Sequence, residues 1–410
     1  MKRYVIIGNG VAAVGCIEGI RAADRSGEIT VISEEKHHVY SRPLISYYLE
    51  GKTDTERMLY RPESFYEDNG CRVLFGRKAV SIDASAKRVT LDNGDGLDYD
   101  ELCVASGSRP FVPPFAGLDT VKNKFSFMTL DDALALEAAL DKDARVLIVG
   151  AGLIGLKCAE GIYGRVKSIT VCDLADRVLS SILDADCAAI VQSRLEEAGV
   201  AFLLGDTAER FDADTAYMKN GAAIGFDILV LAVGVRANTE LVKNAGGAVN
   251  RGVIVNEKTE TSIPHIWAAG DCAEGFDASV GANRVLAILP NAYMQGHTAG
   301  VNMAGGDADL ANAIPMNSIG FFGYHIMTAG AYDGEMLEER SEQAVKRFFV
   351  KDGLLKGYIL LGETERAGIY TALIREKTPL DTIDFELTKK VASNVVFSRE
   401  IRRKKFGGVV

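Results

Sequence analysis

The hydrophobic pattern opens with Arg3-Tyr4-Val5-Ile6-Ile7, an apolar run that breaks at Gly8-Asn9-Gly10 and resumes as Val11-Ala12-Ala13. It predicts a strand, a tight turn and a helix to about Ala23, then a second strand over Glu28 to Ser33. The same events recur at Arg145-Val146-Leu147-Ile148-Val149, which breaks at Gly150-Ala151-Gly152 and continues as Leu153-Ile154-Gly155, with a strand over Ser168 to Asp173 behind it. Past the glycines, Cys16-Ile17-Glu18-Gly19-Ile20 aligns with Cys158-Ala159-Glu160-Gly161-Ile162 at one constant offset, so the chain repeats internally. From about Ala311 the pattern changes to alternating aromatic and aliphatic strands: Ser318 to Tyr324, Arg347 to Val350 and Leu355 to Leu361. A helix over Ala367 to Ile374 follows.

The glycine breaks carry chemistry. Gly8 allows a sharp turn, Gly10 leaves no side chain between backbone and ligand, and Ala13 lets the helix pack close on the strand. A pyrophosphate can then sit on free N–H groups at the helix N-terminus. Gly8, Asn9, Gly10, Ala12 and Ala13 form one such cradle; Gly150, Gly152, Ile154 and Gly155 form a second in the stricter G-x-G-x-x-G form. After each cradle a carboxylate is expected to take ribose hydroxyls. Glu34 is the first choice at the first, with Glu35 second; two solvated loop acids are the plain alternative. Asp173 fills this place at the second and repels a 2′-phosphate, with Arg177 nearby as the group that could accept one.

Composition narrows the class. The 410 residues, 48% hydrophobic and 25% charged, allow two or three cores. No apolar run approaches the roughly 18 residues of a membrane helix, and the first strand starts at once, so a cytoplasmic protein is expected. The cysteines, Cys16, Cys71, Cys103, Cys158, Cys172, Cys187 and Cys272, have no ligand-like spacing and read as buried free thiols. A net charge of −10 argues against nucleic-acid binding. The exception is the end of the chain, where Lys389 onward holds seven basic residues and one acidic.

With Tyr40-Ser41-Arg42-Pro43-Leu44-Ile45-Ser46-Tyr47-Tyr48-Leu49-Glu50-Gly51, a Pro-started helix ended by glycine, the chain resembles the FAD-dependent pyridine-nucleotide oxidoreductases of the disulfide-reductase superfamily. Within it, the similarity is to rubredoxin and ferredoxin reductases and the flavin portion of NADH-dependent nitrite reductases. The resemblance implies an α/β fold with two Rossmann-like domains and a small C-terminal α+β domain: FAD-binding over 1–110 and 241–310, NAD-binding over 111–240, and 311–410 covering the flavin. It implies FAD contacts from Arg42 and from the Val80 backbone, and a crossover at Tyr99 to Pro110 that includes Ser106 and Arg109. Thr261-Ser262-Ile263-Pro264-His265-Ile266-Trp267-Ala268-Ala269-Gly270-Asp271 resembles the second FAD fingerprint, whose aspartate, Asp271, holds the ribityl chain. Leu289-Pro290-Asn291 opens a helix whose N-terminus is implied to face the flavin pyrimidine, and Gly234 is implied beside the nicotinamide.

Two departures stand out. Relatives with a redox cysteine carry it on the helix after Arg42, where this chain has none between Cys16 and Cys71, so electrons are expected to leave the flavin directly. Lys157 stands where most relatives have a glutamate paired with a lysine near Tyr47. It reads either as a solvated surface lysine or as a catalytic group reaching Glu50 or the nicotinamide side of the flavin. The expected activity is hydride transfer from NADH, rather than NADPH, to FAD, then electron transfer to a small acidic carrier such as rubredoxin or ferredoxin. An oxygen-using NADH oxidase and a slow redox-sensing or interaction flavoprotein are the rivals. Neither a metal site nor a catalytic triad is expected, and monomer and homodimer stay open. The basic run between Phe397 and Phe406, with Arg402, Arg403, Lys404 and Lys405, reads as a solvated tail or as a docking element for the carrier.

Overall fold

A computed structural model describes residues 1–393 and residues 397, 400 and 403. The first repeat unit is a five-stranded sheet in the order Ile266–Ala268, Glu101–Val104, Arg3–Ile7, Glu28–Ser33 and Cys71–Phe75, every neighbour parallel. Tyr4 and Ile6 point into a core shared with helix Val11–Ala23, while Val5 and Ile7 point into one shared with the small antiparallel sheet over residues 79–98. Burial on both faces explains why successive residues of the strand are apolar.

The second unit repeats this plan within one continuous stretch. Its order is Val200–Leu204, Ser168–Asp173, Arg145–Val149, Ile228–Leu231 and Lys124–Phe125, again all parallel. Val146 and Ile148 face helices, and Leu147 and Val149 face a three-stranded sheet over residues 208–225. Each central strand also starts on the same clamp. Asp100 accepts the backbone N–H of Arg3 at 2.7 Å and its guanidinium at 3.0 Å; Asp227 does the same for Arg145 at 2.7 and 3.0 Å. The two crossings between the units, Ser108–Pro110 and Val235–Ala237, pair antiparallel.

Helix Leu289–Met303 closes the first unit by lying directly on helix Val11–Ala23. A Cβ at Gly296 would stand 1.9 Å from the Ala12 carbonyl oxygen, and one at Gly300 2.1 Å from that of Cys16; Gly15 and Gly19 meet the carbonyls of Tyr293 and His297 in return. Backbones touch because no side chain stands between them.

The third layer is an antiparallel sheet in the order Met316–Phe321, Tyr324–Gly330, Leu354–Leu361, Val345–Lys351 and Glu335–Arg340. Ile359 and Leu361 pack on the second unit, whereas Tyr358 and Leu360 pack beneath helices Gly368–Arg375 and Phe385–Lys390. Two features of the basic end differ from the expectation. Phe397 is buried in this third core, and Lys389 is buried and paired with Glu386 at 2.9 Å, so neither belongs to an exposed tail. Arg403 is exposed; Arg402, Lys404, Lys405 and Phe406 lie outside the described residues. Among the described residues no helix is long and apolar enough to cross a membrane, and no cluster of His, Cys, Asp and Glu could hold a metal ion. All seven cysteines are free; Cys71 is half-buried and the other six are buried.

Candidate functional site

The two cradles are built alike at the backbone. Gly8, at φ 110°, donates its N–H to the Ile32 carbonyl at 2.8 Å, and a Cβ there would lie 2.1 Å from the Ala105 oxygen. Gly150, at φ 119°, donates to Cys172 at 2.7 Å and faces the Ala232 oxygen at 2.2 Å. Both positions combine left-handed backbone with a blocked Cβ, so only glycine fits. Gly10 and Gly152 are the reverse: nothing lies within 4 Å of a Cβ at either, which leaves open space at each helix N-terminus. Gly155 is closed again, its Cβ 2.0 Å from the Gly150 oxygen. Ala12 and Ala13 are buried, and Ile154 is half-buried.

Around the first cradle, the Tyr66 hydroxyl donates to Asn9 Oδ1 at 2.6 Å, and Asn9 Nδ2 reaches the His37 carbonyl at 3.3 Å. The structure separates the two glutamates. Glu34 is exposed and pairs with Lys78 at 3.0 Å. Glu35 has both oxygens occupied, one by the Tyr40 hydroxyl at 2.6 Å and the other by Arg42. The Tyr40 oxygen in turn accepts the Leu130 N–H at 2.8 Å, at the start of helix Leu130–Ala139. Val80 is exposed on the small sheet.

Asp271 lies at the end of strand Ile266–Ala268, where the Ser108 hydroxyl donates to it at 3.0 Å. Burial pushes its carboxyl above the usual range, while the Ser108 hydrogen bond and the charge of Arg42 pull it back. Gly270 donates its N–H to Gln295 Oε1 at 2.8 Å, fixing this turn to helix Leu289–Met303. That helix opens with Pro290 in its first turn and Asn291 fully buried, donating to the Ile314 carbonyl at 3.0 Å. At the crossings, Ser106 and Asn238 exchange side-chain and backbone bonds at 3.0 and 2.8 Å. Arg109 turns away from Asp271, to Glu240 at 2.6 Å and Asn238 at 2.7 Å. Gly234, at φ 106°, has open space beside it.

At the second cradle Asp173 is part of the loop's own support. It accepts the Ala151 N–H at 2.7 Å and the Ala175 N–H at 2.8 Å. Arg177 pairs with Asp176 at 2.7 Å. Lys157 is no surface lysine: its side chain is 14% exposed. Its ammonium is bonded to Glu160, lies 3.9 Å from Glu50 and 3.3 Å from the Gly320 carbonyl, and sits 4.7 Å over the Tyr47 ring.

Sequence reasoning missed Ser108, Gln295, Asn238 and Glu160. Gln295 and Glu160 stood inside segments already singled out, but their partners are distant in sequence.

The model of the pyridine nucleotide-disulphide oxidoreductase family matches residues 2–296. The chain belongs to that family. Its members bind FAD and use NAD(P)H, and the protein is an FAD-dependent NAD(P)H oxidoreductase. It is 31% identical over 415 residues, 97% of each chain, to the protein named NADH-dependent phenylglyoxylate dehydrogenase subunit epsilon of Aromatoleum evansii. It is 34% identical over 318 residues, 75% of this chain and 71% of the relative, to the NADH oxidase of Methanocaldococcus jannaschii. The crystal structure of the ferredoxin reductase for the CYP199A2 system from Rhodopseudomonas palustris superposes with a TM-score of 0.87 at 25% identity, covering 96% of this chain and all of that one.

Proposed function

We propose that this oxidoreductase takes electrons from NADH and delivers them to a small iron–sulfur or rubredoxin-like carrier, without a redox-active disulfide. The supporting observation is the open space beside Gly10 and Gly152 at two helix N-termini, suited to two pyrophosphates, together with an Arg42 helix that bears no cysteine. Bound FAD would supply the chemistry, accepting a hydride from NADH and releasing electrons to the carrier.

In this reading the FAD-binding domain spans 1–110 and 241–310, the NAD-binding domain 111–240 and a C-terminal domain the rest. Gly8, Asn9, Gly10, Ala12 and Ala13 receive the FAD pyrophosphate, and Asp271 with Ser108 the ribityl hydroxyls. Glu34, with Glu35 second, takes the adenosine ribose. Val80, Ser106, Arg109 and the helix start at Leu289, Pro290 and Asn291 complete the FAD wall. Gly150, Gly152, Ile154, Gly155, Asp173 and Gly234 hold NADH. Asp173 disfavours a 2′-phosphate, and the guanidinium that could welcome one is bound to Asp176.

The experiment is anaerobic reduction with NADH, followed by mixing with a rubredoxin or a small ferredoxin, or with oxygen. Faster reoxidation by a carrier supports the proposal; faster reoxidation by oxygen supports the oxidase reading that the Methanocaldococcus relative's name favours. Colourless protein in excess FAD would refute both. A second reading follows from the full-length match to a dehydrogenase subunit: the redox partner is a neighbouring subunit of a larger complex. Co-purification from the native source with a fixed set of chains would mark that case.

A further inference from the structure

Outside the cradles, the densest buried charge lies where the three layers meet. Lys157 and Glu160 occupy successive turns of helix Leu153–Ile162, whose first turn forms the second cradle. Glu160, with a side chain 7% exposed, binds the Lys157 ammonium through Oε2 and accepts the backbone N–H of Phe322 through Oε1 at 2.7 Å. Phe322 follows the first strand of the C-terminal sheet. From that strand Gly320 offers its carbonyl to Lys157, and the Phe321 ring stands 5.8 Å from the ammonium. Glu50, at the end of helix Ile45–Leu49, brings a carboxylate whose Oε1 is buried without a hydrogen-bond donor and whose other oxygen holds Lys52.

Stability alone does not favour this arrangement. Burying a lysine and carboxylates costs several kcal/mol in lost hydration, and an apolar replacement of equal volume often does as well or better. A cation near a helix N-terminus is further opposed by the helix dipole. What the cluster achieves is location: one ammonium held in a fixed place on the helix that leads out of the second cradle.

We propose that Glu160 is a positioning residue for Lys157, and that through its bond to Phe322 the C-terminal sheet sets where that ammonium stands during hydride transfer. This deepens the proposed function and rests on it. The sheet thereby acts on the reaction through the Phe322 N–H that Glu160 accepts.

The test compares Glu160→Gln, Lys157→Met and Lys157→Arg in the full chain. The glutamine keeps an oxygen for the Phe322 N–H but cannot neutralise the ammonium. Lysine labelling with acetic anhydride, read by peptide mass spectrometry without FAD, should show Lys157 about tenfold more reactive in Glu160→Gln than in wild type, the scale of losing a charged hydrogen-bond partner. In FAD-loaded protein, single-turnover reduction at saturating NADH should slow by about ten- to a hundredfold in Glu160→Gln and Lys157→Met, the scale of a misplaced group. Lys157→Arg should recover most of the rate, and NADH affinity should change little in all three.

Unchanged labelling, or a freed lysine with a wild-type reduction rate, overturns the proposal. If Glu160→Gln does not fold, a wild-type rate in Lys157→Met overturns it as well. Wild-type protein that binds FAD but is not reduced by NADH would refute the proposed function instead, and the labelling contrast would still decide whether Glu160 fixes the lysine.

Discussion

The two cradles share a backbone and differ in what is laid against them. Around the first, Val11, Ala12 and Ala13 are buried and a second helix is seated on the glycines of helix Val11–Ala23. Around the second, Leu153 and Ile154 are half-buried, and the helix meets the other layers farther along, through Lys157, Glu160 and Gly161. The acids differ as well. At the strand position where the second cradle has Asp173, the first has Ser33, buried and bonded to the Glu35 carbonyl at 2.7 Å; its acids come one and two residues later. A closed wall suits a ligand that stays, and an open one suits a ligand that must leave each cycle.

The harshest way to break this contrast is to remove the closed wall. Gly296→Val would drive a side chain into the Ala12 backbone and is expected to cost more than about 4 kcal/mol, beyond the usual range for one substitution. Urea unfolding or the yield of folded protein would show it. Gly10→Val and Gly152→Val should separate the cradles, because both new side chains enter open space and spare the fold. The first is expected to weaken FAD retention and the second to weaken only NADH binding, each by about tenfold or more; ultrafiltration and a NADH titration of the flavin signal read the two. Loss of FAD from Gly152→Val would show that the units are not independent.

Asp173→Ala should narrow the preference for NADH over NADPH by about ten- to a hundredfold in specificity. It should also raise the KM for NADH, since Ala151 loses its acceptor. The smallest effect concerns the clamps. Hydrogen bonds from the Arg145 side chain and backbone hold the Asp227 carboxyl down at about 2, below its unfolded value of about 3.9. Its stabilisation is thus present above that unfolded value and fades as pH falls toward 2. Asp227→Asn should lower the melting temperature slightly at pH 7, the pair being half exposed, with the difference vanishing near pH 2. Asp100→Asn should behave alike in the first unit, where Arg3 holds Asp100 down.

Sequence revealed whatever is local. Gly8, Gly10, Gly150 and Gly152 each mark a strand–turn–helix along the chain, although the carbonyls that block a Cβ at Gly8 and Gly150 come from the distant Ala105 and Ala232. The same holds for Asp173, one strand away from its loop. Glu160 was legible only as part of the repeat, since its partner Phe322 lies 162 positions away. Gly15, Gly19, Gly296 and Gly300 gain their role only when two helices distant in sequence are laid together. Phe397 was legible only as an aromatic flanking a run of charges, and the third core shows why it stands there.

The interlocked helices also constrain how the protein comes into being. Every strand of the second sheet lies within residues 124–231, so that unit can close on a ribosome-bound chain. The first sheet waits for strand Ile266–Ala268 and for helix Leu289–Met303, contacts of large sequence separation that form late and slowly. Until then the glycine face of helix Val11–Ala23 lacks its partner helix. Newly made protein is therefore exposed to aggregation in its first segment while its second is already folded, and FAD present during synthesis would shorten that interval by favouring the closed form.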